Sequence, residues 1–258
     1  MPRYFLRLAY CGSGFHGWQR QPNALSVQQR IEEALTLIMR TDTPITGAGR
    51  TDAGVHAAEM YAHFDTAEPI ADKSRVLRSL GHLLAPDIVV FELLDVKPDA
   101  HARFDAVSRT YRYYVSHMRS PFTRAMEWFS PSMLDYVAMN RAARILLDTD
   151  DFTSFSKLHT DVKTNICRVT AAEWKPYIQP YTESDKSQRY YFEITADRFL
   201  RNMVRAVVGT LVEVGRGKLT DEGFARIIAA GNRCAAGESM PGHALYLHKI
   251  VYPDDIFI

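Results

Sequence analysis

The sequence predicts an α+β protein of two similar α/β halves. Three observations carry this: short alternating strand patterns recur with single amphipathic helices between them, the pattern restarts after His101, and no low-complexity linker divides the chain. The halves are expected over residues 1–105 and 106–258. Without a linker, their largely antiparallel, mixed sheet is expected to be continuous, with the active-site cleft between the halves.

Each element has its own signal. Tyr4 to Tyr10 reads as a strand, followed by a glycine-rich loop from Cys11 to Gln21 that lacks apolar periodicity. Ser26 then caps a helix with the apolar stripe Val27, Ile31, Ala34, Leu35 and Ile38, and Gln29 stands where a capping box needs it. A further strand should lead into residues 47–57, beyond which Met60, Ala62 and Phe64 alternate. Val76, Leu77, Leu80, Leu83 and Leu84 mark a helix ending before Pro86, and Ile88 to Val96 reads as a buried strand.

In the second half, Arg109, Tyr111, Tyr113 and Val115 share one face of a long strand, with Thr110, Arg112, Tyr114 and Ser116 on the other. A helix follows across Leu134, Val137, Ala138, Ile145 and Leu146. Strands fit Asn165 to Trp174 and Gln188 to Ala196, helices fit Phe199 to Val214 and Asp221 to Ala230, and Leu245 to Tyr252 forms the last strand.

Composition narrows the function classes. Of 258 residues, 47% are apolar and 24% charged, as in an ordinary folded domain. Met1 to Tyr10 carries Arg3 and Arg7 and lacks a signal peptide's apolar run, and no segment approaches the ~20 apolar residues that span a bilayer. A cytoplasmic protein with no membrane partner is expected. Cys11, Cys167 and Cys234 are odd in number and far apart, which argues against a disulfide framework or thiolate zinc site. Among the histidines only His56 and His63 invite a metal reading, and they lack a third nearby donor, so no metal is expected.

The net charge of +1 conceals an uneven distribution. Arg103, Arg109, Arg112, Arg119 and Arg124 cluster against the single acid Asp105. Arg198, Arg201, Arg205, Arg216 and Lys218 cluster against Glu213, while acids gather at Glu183, Asp185, Asp254 and Asp255. Such clusters suit phosphate binding or form solvated faces.

The richest chemistry lies in residues 47 to 57, Gly-Ala-Gly-Arg-Thr-Asp-Ala-Gly-Val-His-Ala. Three glycines and small alanines leave room around Asp52, which either faces a substrate or holds a turn. A second feature is the predicted helix from Phe199, apolar around most of its circumference, yet with Arg198, Arg201 and Arg205 at i, i+3 and i+7. An arginine emerging from a buried helix needs an anion beside it, and Arg205 is the natural candidate to pair with a site aspartate.

The order of motifs resembles the bacterial tRNA pseudouridine synthase A family over essentially the whole chain. The matching segments are Tyr10-Cys-Gly-Ser-Gly-Phe-His-Gly-Trp-Gln-Arg-Gln and Gly49-Arg-Thr-Asp-Ala-Gly-Val-His-Ala57, then Phe104 with Arg109-Thr-Tyr-Arg-Tyr113. Asp151-Phe-Thr-Ser-Phe155, Phe199-Leu-Arg-Asn-Met-Val-Arg205 with Gly209, and Pro241 with Leu245-Tyr-Leu247 complete the order.

The resemblance implies RNA-recognition/ferredoxin-like subdomains and a cofactor-free, metal-free enzyme. That enzyme would convert uridine to pseudouridine at positions 38, 39 and 40 of the tRNA anticodon stem-loop, as a homodimer in which each tRNA touches both subunits. It implies that Asp52 is the catalytic aspartate, as nucleophile or base, that Tyr111 stacks on the target base and takes part in proton abstraction, and that Arg205 pairs with Asp52. Arg50, Thr51, His56, Arg109, Arg201 and Leu245 are the candidate substrate-binding residues. Departures from the family pattern are Cys11 for aspartate, Asp150 for histidine and Ala244 for glycine.

Two other readings use the same residues. A glycosidase would need a second acid, for which Glu59 and Asp65 are the nearest beyond the loop, and a non-catalytic RNA-binding module would need only the arginines and tyrosines.

Overall fold

The computed structural model describes residues 1–157, 164–178 and 188–258. The acids Glu183 and Asp185 lie outside the described residues. In chain order the elements are β1 (Arg3–Tyr10), α1 (Val27–Met39), β2 (Thr46–Gly47), β3 (His56–Asp65), α2 (Lys73–Leu84), β4 (Ile88–Val96), β5 (Ser108–Ser116), β6 (Trp128–Phe129), α3 (Tyr136–Arg144), β7 (Val169–Pro176), β8 (Arg189–Ala196), α4 (Met203–Gly215), α5 (Asp221–Ala229) and β9 (Leu245–Val251). They divide into two compact units, residues 1–107 with 246–258, and residues 108–245.

In the first unit β1 lies between β4 and β3, antiparallel to both. β3 also pairs in parallel with β9 through His56–Tyr246 and Ala57–Leu247. The alternation expected of β3 is absent from its middle, because Met60 to Phe64 are all buried. The second face is covered in part by the returning chain: Tyr252 and Phe257 pack edge-on to Phe5, at 5.4 and 6.3 Å between ring centres.

Ser26 caps α1 by accepting the Gln29 N–H, while the Gln29 side chain donates to Glu33, so only half of the anticipated capping box forms. The expected strand before the Asp52 loop is reduced to the two residues of β2. What holds that approach is the buried Glu32, whose Oε1 accepts the Ile45 N–H at 3.1 Å.

The second unit is built on antiparallel β5, β8 and β7, with β6 parallel to the end of β5. Asp135 caps α3 and Thr220 caps α5. β7 begins at Val169 rather than Asn165, the earlier residues making only an isolated bridge from Ile166 to Asp151.

The helix expected from Phe199 starts four residues later. Asn202 takes the left-handed conformation at φ 67° and breaks the helical path before Met203. Arg198 and Arg201 therefore lie outside the helix, and the stripe expected of Arg198, Arg201 and Arg205 does not exist.

Residues 246–258 belong with the first unit rather than the second, where the sequence boundary had placed them. Parallel pairing with β3 and the packing of Tyr252 hold them there.

Candidate active site

The Asp52 loop is gripped on both flanks. On one side Thr51, 8% exposed, shares a 2.8 Å hydrogen bond with the buried Tyr10 hydroxyl, and its carbonyl accepts the Trp18 N–H at 3.2 Å. On the other, Val55 is 2% exposed and its N–H turns back to the Asp52 carbonyl. Asp52 itself stays half-buried, so the loop presents one carboxylate from a backbone with little freedom.

The glycine-rich first loop seats against this turn because it lacks side chains where the two backbones meet. A Cβ on Gly12 would lie 2.1 Å from the Val55 carbonyl oxygen, and one on Gly17, at φ +92°, would lie 2.5 Å from that of Thr51. Gly54 N–H donates to Phe15 O at 3.3 Å, which closes the contact.

Two histidines support this unit from inside. His56 is 2% exposed, its Nδ1 accepts the Gly12 N–H at 3.1 Å, and its ring stacks on Tyr246 at 4.5 Å. Its ring is thus a brace between the two loops. His63 accepts the Ala102 N–H, and burial, helped by Arg3 and His101, pushes it down to about 4. Among the described residues no cluster of three metal-ligating side chains occurs.

The two acids of β3 are occupied. Asp65 makes a two-pronged pair with Arg3, at 2.7 and 2.8 Å, which holds it below the usual carboxylate range. Glu59 accepts the Ile250 N–H and faces Arg7 at 3.7 Å. Each is thus engaged by a partner within the first unit. Arg50 is exposed, and lines a pocket of about 150 Å³ with Trp18, Thr46 and Arg103.

In the second unit, Tyr111 sits half-exposed on β5 with its ring edge-on to Phe199 at 5.0 Å. Two residues along, Tyr113 is buried and its hydroxyl donates to Pro241 O at 3.2 Å, while desolvation raises its pKa far above the usual range. Arg109 is tied down by donation from Nη1 to Asp197 O, and Arg112 is neutralised by Glu193 at 2.7 Å.

All thirteen residues of α4 are buried except Arg205 and Glu213. A cation in a helix's first turn opposes the helix dipole, so Arg205 requires acceptors. Its Nε donates to Met240 O at 2.5 Å, and its own carbonyl accepts the Met240 N–H.

Segment 237–240 can run so close because Gly209 carries no side chain: a Cβ there would lie 1.8 Å from Glu238 O. The neighbouring Pro241 carbonyl is the one that holds Tyr113. Arg201 is exposed, and Leu245 is 5% exposed at the start of β9. Sequence reasoning missed segment 237–240 as a support. Its only signal was Gly209 inside a helix.

Residues 142–253 match a family model described as tRNA pseudouridine synthase. Relatives named tRNA pseudouridine synthase A cover nearly the whole chain. That of Parabacteroides distasonis is 54% identical over all of this chain and 98% of its own. That of Bacteroides thetaiotaomicron is 55% identical over all of this chain and 93% of its own. That of Bacteroides fragilis is 53% identical over 99% of this chain and 98% of its own. A clamped loop offering one aspartate, a half-exposed tyrosine on a strand and a lone arginine on a buried helix thus occur in a chain that belongs to the tRNA pseudouridine synthase A family of isomerases.

Proposed function

We propose that this protein isomerises uridine to pseudouridine at positions 38, 39 and 40 of the tRNA anticodon stem-loop, in the cytoplasm, without cofactor. The observation that carries the reading is the loop of Asp52, in which Thr51 and Val55 are buried and Asp52 between them is half-buried. The reaction breaks the bond from N1 to C1′, turns the uracil, joins C5 to C1′, and moves the C5 proton off as N1 is protonated. Such an internal rearrangement needs one carboxylate at the sugar or base and no second nucleophile.

In this reading Asp52 is the catalytic carboxylate and acts on C1′, on C6 or as a base on the sugar. Tyr111 stacks on the extruded uracil, whose removal from the helix costs a few kcal/mol that stacking offsets. Arg205 is the cation that orients Asp52. Arg50, Thr51, Arg109, Arg201 and Leu245 surround the nucleotide, and His56 braces the loop. The enzyme works as a homodimer with each tRNA on both subunits; sedimentation of the protein with tRNA as one subunit per RNA would remove that part.

The test is pseudouridine mapping in tRNA from a strain lacking the protein, restored with wild type or Asp52→Asn. Wild type should restore the modification and Asp52→Asn should not, although it still binds tRNA; ample turnover by the variant overturns the role of Asp52. In purified form Arg205→Ala should lower turnover by at least about tenfold, equivalent to about 1.4 kcal/mol of transition-state stabilisation.

A further inference from the structure

Arg103 and Phe104 lie beside the Asp52 loop. Arg103 is exposed and lines the Arg50 pocket, and Phe104 is 73% exposed. A lone exposed ring is ordinary on a protein surface; this one is set apart by the two guanidiniums of the adjoining pocket and by a rigid backbone. The His101 N–H donates to Asp105 at 2.7 Å, Ala102 is fully buried with its N–H on His63, and the Phe104 N–H returns to His101 O at 3.2 Å. The Phe104 ring leans on the His101 ring at 4.3 Å, and the Arg103 guanidinium stands 5.6 Å from its centre.

The pocket itself suits an anion. It is a half-open pocket of about 150 Å³, large enough to admit a phosphate group. Two guanidiniums line it and no carboxylate does. Its wall is fixed, since the Trp18 indole lies against Gly47 so tightly that a Cβ there would fall 2.4 Å from the ring.

We propose that the pocket between Arg50 and Arg103 is a phosphate subsite for the RNA backbone next to the target uridine, and that Phe104 is a stacking platform for the adjoining unstacked base. The inference rests on the function proposed above. Arginine beside an open aromatic is the pairing that holds single-stranded RNA, one taking the backbone and the other a base face. Arg50 lies two residues before Asp52, so the subsite fixes the backbone beside the reacting nucleotide.

The test is steady-state modification of a full-length tRNA, with binding measured over a salt series, for Phe104→Ala, Phe104→Tyr, Arg103→Ala and Arg103→Lys. Phe104→Ala should raise KM by about five- to 150-fold with kcat near wild type, and Phe104→Tyr should restore KM. Arg103→Ala should flatten the slope of log affinity against log salt by about 0.7 to 0.9, the loss of one phosphate contact, and Arg103→Lys should restore it. A wild-type KM for Phe104→Ala, or an unaltered slope for Arg103→Ala, overturns the subsite. If the wild-type protein turns over no tRNA at all, the proposed function fails instead; normal wild-type turnover with silent Arg103 and Phe104 variants overturns only the subsite.

Discussion

At the scale of single residues, His63 ties the fold to pH. Above about pH 6.5 the ring is neutral in folded and unfolded chains alike, so it adds no pH dependence. Between 6.5 and about 4 the unfolded chain takes up a proton that the buried, Arg3-facing ring refuses, so stability falls as pH falls. The expected loss is about 2–3 kcal/mol by pH 4.5, and denaturant titrations at pH 7 and 4.5 measure it. His63→Asn, which keeps an acceptor for Ala102, should lose distinctly less over that interval; equal losses would assign the effect to other groups. Asp52 could be singled out in sequence because three glycines and three alanines around one acid form a local pattern. His56 could not be resolved in that way. Whether its ring meets RNA or accepts the Gly12 N–H depends on a partner 44 residues away.

At the scale of elements, the strands and capped helices followed their periodicities, and the departures have local causes. Helix α4 was expected to begin at Phe199 because its apolar run does, yet Asn202 turns left-handed there and removes Arg198 and Arg201 from the helix face. What the helix does carry is a close seam with segment 237–240 at Gly209. Gly209→Ala should lower the unfolding free energy by about 1–3 kcal/mol or more, by overpacking against a backbone carbonyl that cannot swing aside. On the role proposed for Arg205 it should also reduce turnover, because Met240 is an acceptor for that side chain. Gly81→Ala is the control: it sits in the exposed surface of α2 with open space around it, and should stabilise by about 0.5–1 kcal/mol. Equal behaviour of the two variants in denaturant would show that the seam is unimportant.

At the scale of the whole molecule, a change of unit near residue 106 was legible from the restarting pattern, and the return of residues 246–258 to the first unit was not. Only two residue pairs join β9 to β3, and no periodicity in β9 encodes which strand it will meet. The returning segment nonetheless carries much of the first unit's burial. Tyr252 donates to Ala102 O at 2.5 Å and packs against Phe5 and Tyr61, and the Ile250 N–H occupies Glu59. A chain cut after Leu245 should therefore lose the cooperative melting of the first unit, and proteolysis should open it first around residues 100–107. Retained protection there would mean that the other strands suffice. During synthesis residues 246–258 leave the ribosome after all of 108–245. The ring that stacks on His56 comes from this stretch, so a nascent chain holds its second unit complete before its Asp52 loop is braced. Bracing of that loop therefore follows completion of the second unit, and a nascent chain that stops short of residue 246 has no ring to stack on His56.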